Sequence, residues 1–238
     1  MISLPERFPY LEWPLPGINW LKRQTGKRLI KTHLPLPFFT NALKSNAKIV
    51  TIIRDPKDVL VSFYYFARMN NLIGFTDDFS KFFELFVKDK VAYGPIWKHY
   101  SDFISLVNNS EQNEAILVVH YEKLKSNFED EVDRICKFLG KRKLSEYEMS
   151  ELKKHCCFES MKVNPSVNYE HWDQLGVRNL NESEFFRKGI VGDWKAHFSP
   201  QQRQTFNEWF KQNFDASIVE MYDERYETTI TTANQKVN

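Results

Sequence analysis

Residues 187–195 (RKGIVGDWK) place two adjacent cations directly before a glycine, and a second glycine follows at position 192. Arginine and lysine side chains bind a dianionic phosphate through charge-assisted hydrogen bonds. Glycine has no Cβ, so backbone N–H groups can also approach the anion closely. The segment therefore predicts a phosphate-binding loop, and a basic surface turn is the alternative explanation.

A second candidate anion site lies in residues 49–62 (IVTIIRDPKDVLVS). The β-branched run predicts a buried parallel strand, and Asp55-Pro56 predicts the start of a helix. Arg54 would then lie at a helix N-terminus with Ser62 on the same helix, so that a cation, a hydroxyl and the helix dipole all favour an anion. Alternatively, Arg54 pairs with a carboxylate and Ser62 has no part in binding.

A candidate general base lies in residues 28–35 (RLIKTHLP), where His33 follows a predicted short strand. Imidazole has an unperturbed pKa of about 6.5, which suits proton transfer near neutral pH. A histidine in this position can equally have a structural role. Tyr121 follows the apolar run at 115–120, which predicts a buried strand. The adjacent Cys156 and Cys157 lie at the end of a predicted helix. Taken alone, the two cysteines indicate small buried hydrophobic residues.

The elements that position these residues alternate between strand and helix. We predict strands at 28–32, 48–53 and 115–120, and helices at 56–69, 78–90, 95–108, 127–139, 145–155 and 199–213, the last of them. Asp58 falls in the first turn of the helix at 56–69, and Ser145 and Glu148 predict a capping box at the start of the helix at 145–155. Residues 1–27 predict an irregular cover, residues 160–193 a long functional loop, and residues 225–238 a frayed tail. The pattern predicts an α/β fold, a single domain with a parallel β-sheet flanked by helices over residues 1–238.

The composition excludes several classes of function. The 238 residues carry 33 basic and 31 acidic side chains, a balance that predicts neither nucleic-acid nor membrane binding. The 3 cysteines include an adjacent pair, which allows no disulfide framework and no paired zinc motif, so we expect no metal. No signal peptide and no membrane-spanning run is predicted, which favours a cytoplasmic protein.

Taken together, RLIKTHLP, IVTIIRDPKDVLVS and RKGIVGDWK, in this order along the chain, resemble the motifs of the cytosolic sulfotransferases. The resemblance implies a P-loop-NTPase-like sulfotransferase fold and the sulfuryl donor 3′-phosphoadenosine 5′-phosphosulfate (PAPS), which leaves as 3′,5′-ADP (PAP). It implies transfer to a small acceptor: a phenol, alcohol, steroid or amine.

The resemblance also implies a role for each matching residue. His33 is the expected catalytic base, and Lys31 is expected to offset charge on the leaving phosphate. Phe66 is expected to line the acceptor pocket, although an ordinary core position explains it equally well. The residues expected to hold the nucleotide comprise those for its 3′-phosphate (Arg54, Ser62, Arg187, Lys188 and Gly189) and those for its adenine (Tyr121, Cys156 and Phe158). Cys156 replaces the threonine usual in the family and is a weaker hydrogen-bond donor.

The sequence departs from the family pattern in two places. No string of the type YPKSGTTW, which holds the 5′-phosphosulfate in the family, occurs in it. We therefore expect either an N-terminally incomplete form of an active enzyme, impaired as it stands, or a non-catalytic nucleotide-binding or scaffolding module. The family's dimer segment KxxxTVxxxE is matched only by Lys195, Ser199-Pro200 and Gln204, which argues against the family-type homodimer.

Overall fold

The computed structural model describes residues 4–14, 16–38, 40–109 and 114–223. They fall into two compact units, each assembled from three separate stretches of the chain. The first unit comprises Met1–Ser45, Phe63–Thr76 and Asn127–Ile190, and the second comprises Asn46–Ser62, Asp77–Ser126 and Val191–Asn238.

The second unit is built on a parallel pair of strands. Strand β1 (Ile49–Ile53) pairs with β2 (Ile116–His120) in a register that places Ile49 opposite Ile116 and Ile53 opposite His120. Both strands were predicted, because their β-branched runs favour the extended backbone of a sheet. Helices α6 (Ile96–Asn109) and α7 (Tyr121–Ser126) pack against β2. The predicted α/β class with a helix-flanked parallel sheet is therefore confirmed.

The helices of the second unit include those predicted, together with a short helix directly after β2 and a further helix after residue 213, which were not predicted. They are the start of α4 (Pro56–Met69), α5 (Phe79–Val87), α6 (Ile96–Asn109), α7 (Tyr121–Ser126), α12 (Pro200–Asn213) and α13 (Ala216–Tyr222), with a 3₁₀ turn at Asp193–Ala196. Helix α12 begins with a capping box between Ser199 and Gln202. The prediction that α12 is the last helix is wrong, because α13 follows it and buries Ile218 and Tyr222.

Trp194 lies in the core of the second unit. Its side chain is 1% exposed, and its ring packs edge-on against Phe198 at 5.6 Å between centroids. Phe198 contacts Phe206 at 5.5 Å, and Phe206 is fully buried on α12. Aromatic rings bury large apolar areas and prefer such tilted contacts, so this chain of rings holds the segment around Trp194 against α12.

The first unit is mainly helical. Its helices are α1 (Leu4–Arg7), α2 (Ile18–Arg23), α3 (Thr40–Leu43), the end of α4, α8 (Phe128–Phe138), α9 (Glu146–His155), α10 (Phe158–Lys162) and α11 (His171–Gln174), with a 3₁₀ turn at Leu36–Phe38. The predicted capping box of Ser145 and Glu148 at the start of α9 is confirmed. Helices α1 and α2 interrupt the stretch predicted to be irregular.

Two predictions for the first unit need correction. The predicted strand at 28–32 is reduced to one parallel bridge, between Lys31 and Tyr10. Leu29 and Ile30 are 61% and 39% exposed, so the apolar residues that suggested a strand bury little surface. The long loop predicted at 160–193 contains the end of α10 and the whole of α11, although most of its residues are irregular. The tail at 225–238 lies outside the described residues.

Candidate functional site

Arg54 is held from several sides within the second unit. It follows β1, and its backbone N–H and carbonyl both bond to the hydroxyl of Tyr100, at 2.9 and 2.7 Å. Its guanidinium lies over the ring of Tyr121, 4.3 Å from the centroid, and its Nη2 is 3.4 Å from Oδ2 of Asp58. The alternative of pairing with a carboxylate is therefore observed. With its side chain 19% exposed, the guanidinium can still present N–H donors to an anion.

Asp58 ties this cation to the segment that carries the second glycine. Its carboxylate accepts hydrogen bonds from the backbone N–H of Gly192 at 2.7 Å and of Trp194 at 3.1 Å. Asp58 is 1% exposed, so these bonds and the contact with Arg54 compensate a fully buried charge. Sequence reasoning placed Asp58 only in the first turn of a helix. Its partners in the structure are backbone N–H groups, which every residue except proline carries. No residue type in the sequence could therefore have revealed this second role of Asp58.

Ser62 and Tyr121, two other predicted nucleotide residues of the second unit, differ in exposure. Ser62 is exposed on α4. Tyr121 is the first residue of α7 and lies partly buried beneath Arg54, where burial raises the pKa of its hydroxyl. A neutral phenol stacked on a guanidinium can hold that cation in place without competing for its charge.

The cation pair and first glycine lie in the first unit. The guanidinium of Arg187 stacks over Tyr65, 4.3 Å from the ring centroid, while Lys188 is exposed. Gly189 has φ +63°, and a side chain at this position would clash with the Phe158 ring. The structure therefore requires a glycine here because of an aromatic neighbour, a reason different from the predicted approach of an anion to the backbone. Tyr65 was not singled out by sequence reasoning.

Gly189→Ala is expected to destabilise the protein more than the same substitution at Gly140, a glycine with nearly the same φ. Gly140 has φ +64° and nothing within 4 Å of its added Cβ, so Gly140→Ala serves as the matched control. Both variants meet the left-handed strain of about 1–2 kcal/mol, and only Gly189→Ala adds overpacking of about 1–3 kcal/mol against Phe158. Urea unfolding of both variants measures the difference. Equal losses would show that the Phe158 ring moves aside freely.

The predicted adenine residues Cys156 and Phe158 lie at the junction of two helices. Cys156 caps the end of α9 and is half-buried, which raises the pKa of its thiol. Phe158 begins α10 and packs edge-on against Phe186 at 5.9 Å. The sulfur of Cys157 caps α10 through the backbone N–H of Ser160. A thiol held protonated by burial remains a weak hydrogen-bond donor.

Lys31 and His33 both contact the ring of Tyr10 in the first unit. The Lys31 ammonium lies 4.2 Å from the Tyr10 centroid, and the His33 imidazole stacks on the same ring at 4.7 Å. Lys31 also donates to the hydroxyl of Tyr169 at 3.2 Å, and its burial lowers its pKa. His33 is partly exposed and contacts Glu12. The structure thus brings together the two residues predicted for catalysis.

Phe66 packs in an aromatic cluster of the first unit. It lies against the buried residues Met69, Tyr169 and Trp172, with ring centroids 6.4 Å from Trp172 and 6.4 Å from Phe185. This is the core position that the sequence allowed as an alternative.

The described part of the chain, residues 4–14, 16–38, 40–109 and 114–223, also bears on metal binding and on membrane insertion. Within these ranges no group of His, Cys, Asp and Glu side chains is arranged to hold a metal ion. None of the helices described there is long and apolar enough to cross a membrane.

Fold and site together define an α/β protein whose cations are held against tyrosine rings. The model of the sulfotransferase domain family matches residues 2–218, and the chain belongs to this family. It is 34% identical over 224 residues to Sulfotransferase 1B1 of Canis lupus familiaris, covering 92% of this chain and 74% of that one.

Solved structures agree with this assignment. Retinol dehydratase, in complex with androsterone and the inactive cofactor PAP, superposes with a TM-score of 0.74 at 32% identity. Mouse sulfotransferase SULT7A1, complexed with PAP, superposes with a TM-score of 0.74 at 30% identity. The superpositions cover 82% and 87% of this chain, but only 56% of the retinol dehydratase chain and 73% of the mouse protein. The chain thus spans little more than half of retinol dehydratase.

Proposed function

We propose that the protein transfers a sulfuryl group from PAPS to a hydroxyl or amine of a small acceptor. The observation that carries the proposal is the arrangement of Lys31 and His33 around Tyr10, in a chain that belongs to the sulfotransferase family. Two similar structures contain PAP, the nucleotide that PAPS leaves behind. Both findings favour PAPS as the donor.

In the proposed reaction, His33 takes the proton of the acceptor as its oxygen or nitrogen attacks sulfur. The bond from sulfur to the donor phosphate breaks at the same time, and PAP leaves. The Lys31 ammonium offsets the charge that develops on the leaving phosphate, as cations do in phosphoryl transfer. Its packing against Tyr10 and its bond to Tyr169 hold it in one orientation, so little reorganisation is needed during the reaction.

The family resemblance assigns further residues to the nucleotide. We propose that several groups bind the 3′-phosphate. The cations are Arg54, Arg187 and Lys188, the hydroxyl is that of Ser62, and the backbone N–H is that of Gly189. The proposed adenine contacts are Tyr121, Cys156 and Phe158. The stacking of Arg54 on Tyr121 and of Arg187 on Tyr65 supports the assignment, because a guanidinium ordered before binding loses less entropy when it meets the phosphate.

Arg54→Ala and Arg187→Ala are each expected to weaken PAP binding about ten- to hundredfold, since a hydrogen bond to a charged group contributes about 1.5–3 kcal/mol. Isothermal titration calorimetry with PAP measures the change. Arg142→Ala is the matched control, because Arg142 is exposed and its described partners, Glu148 and the carbonyl of Lys143, lie close to it along the chain. Unchanged affinity in both Arg54 and Arg187 variants would overturn the phosphate assignment.

The acceptor is proposed to be a small alcohol, phenol, steroid or amine. Retinol dehydratase has been solved with androsterone and with retinol, both apolar molecules that carry a hydroxyl. We propose that Phe66 forms one wall of the acceptor pocket. A panel of such acceptors assayed with labelled PAPS tests the proposed acceptor class. The proposal fails if no acceptor is sulfated under conditions in which the dog relative is active.

We also propose that this chain of 238 residues catalyses sulfuryl transfer slowly, because its sequence contains no string like YPKSGTTW. Loss of one preorganised transition-state donor typically costs about 10²–10³ in rate. The same observation favours a second candidate, a nucleotide-binding module without catalysis. PAP binding with measurable turnover that His33→Ala lowers about 10²–10⁴-fold supports the transferase. PAP binding without turnover under any condition supports the module.

A further inference from the structure

Glu12 makes two contacts with His33 through one carboxylate oxygen. Oε1 of Glu12 accepts the backbone N–H of His33 at 2.9 Å and lies 2.9 Å from Nδ1 of its imidazole. The Glu12 side chain is 12% exposed and that of His33 is 43% exposed. The carboxylate is therefore shielded from water, while the imidazole is accessible to a ligand.

Backbone pairing fixes the two residues beside each other. The N–H of Leu11 donates to the carbonyl of Lys31 at 2.8 Å, and the N–H of Lys31 donates to the carbonyl of Pro9 at 2.9 Å. Tyr10 stacks on the imidazole with an angle of 19° between the ring planes. The contact between Glu12 and His33 thus belongs to an ordered segment and does not depend on two flexible surface side chains.

An ionised carboxylate can only accept hydrogen bonds, so the proton of a neutral imidazole facing it must lie on Nδ1. Burial raises the pKa of Glu12, but hydrogen bonds, first among them the one from the backbone N–H of His33, outweigh burial and lower the pKa overall. Glu12 is consequently ionised at neutral pH. In the resulting tautomer Nε2 carries the lone pair that can take a proton.

We propose that Glu12 is the positioning residue for His33: it holds the imidazole as the Nδ1–H tautomer, so that Nε2 receives the proton of the acceptor. This inference rests on the proposed sulfuryl transfer. As the acceptor oxygen bonds to sulfur and PAP leaves, its proton moves to Nε2 and the ring becomes an imidazolium. The Glu12 carboxylate stabilises that cation through Nδ1–H, as the carboxylate of a catalytic triad does.

The tautomer can be measured directly, without turnover. In ¹⁵N-histidine-labelled protein above pH 8, the His33 signals are assigned as those lost in His33→Ala. We expect a protonated-type Nδ1 and an unprotonated Nε2 in the wild type, and a shift toward the Nε2–H form in Glu12→Ala. A wild-type ring protonated on Nε2, or the same tautomer in Glu12→Ala, would overturn the proposal. This readout stands even if no sulfuryl transfer is detected, which would count against the proposed function alone.

Kinetics test whether Glu12 acts through His33. Glu12→Gln is expected to lower kcat about tenfold or more and to leave the affinity for PAP unchanged. The loss should stay below the about 10²–10⁴-fold that a general base contributes. In a His33→Ala background the same substitution should cause no further loss. An equal loss of kcat in both backgrounds would show that Glu12 acts on the structure generally and not through the imidazole.

Discussion

Asp58→Ala is expected to lower the free energy of unfolding by about 3–5 kcal/mol, the usual cost of removing one member of a buried charged network. The substitution leaves the backbone N–H groups of Gly192 and Trp194 without their acceptor. It also removes the carboxylate that faces Arg54. Trp194 is almost fully buried, so water could replace the lost bonds only if the core opened.

Asp58→Asn is the matched control for this prediction. Its amide oxygen can still accept one of the two N–H groups, but its NH₂ group cannot accept the other. We expect an intermediate loss of stability, measured by urea unfolding followed through tryptophan fluorescence. If Asp58→Ala unfolded within about 1 kcal/mol of the wild type, the carboxylate would not be holding this segment, and the account of its role would be wrong.

Lys57→Met is the second substitution with a large expected effect, again about 3–5 kcal/mol of unfolding free energy. Lys57 is 1% exposed, and its ammonium donates to the carbonyl of Tyr222 at 2.7 Å, next to Asp55 at 3.4 Å and over the ring of Trp194. Methionine would fill the volume but leave a buried carboxylate and a helix-terminal carbonyl without this donor.

Lys98→Met is the control for Lys57→Met within the same unit. Lys98 is half exposed and pairs with Asp102 one helical turn away, an arrangement worth at most about 0.5 kcal/mol. Hydrogen exchange of helix α13 (Ala216–Tyr222) adds a local readout: faster exchange is expected in Lys57→Met and not in Lys98→Met. Similar stability for both variants would mean that Lys57 does not anchor α13.

Elements whose signals lie close together along the chain were predicted well. Strands β1 and β2 follow from β-branched runs, and α4 from Pro56 at its first turn. The capping box of Ser145 and Glu148 was predicted at its observed place, because its two partners are three positions apart. The strand predicted at 28–32 was wrong because a strand needs a neighbouring strand, and among the described residues this stretch forms only the bridge between Lys31 and Tyr10.

Some features of the candidate site could likewise be read from the sequence, and others required the tertiary structure. The sequence by itself determined the chemical types, namely the cations at 54 and 187, the histidine at 33 and the family to which they belong. Only the tertiary structure showed that Asp58 binds backbone groups more than 130 residues away, that Gly189 lies against Phe158, and that Glu12 faces His33. Caps and periodic patterns are set by neighbours along the chain. The partner of a buried charge is decided by which distant backbone the fold brings within hydrogen-bond distance, and no local pattern encodes that.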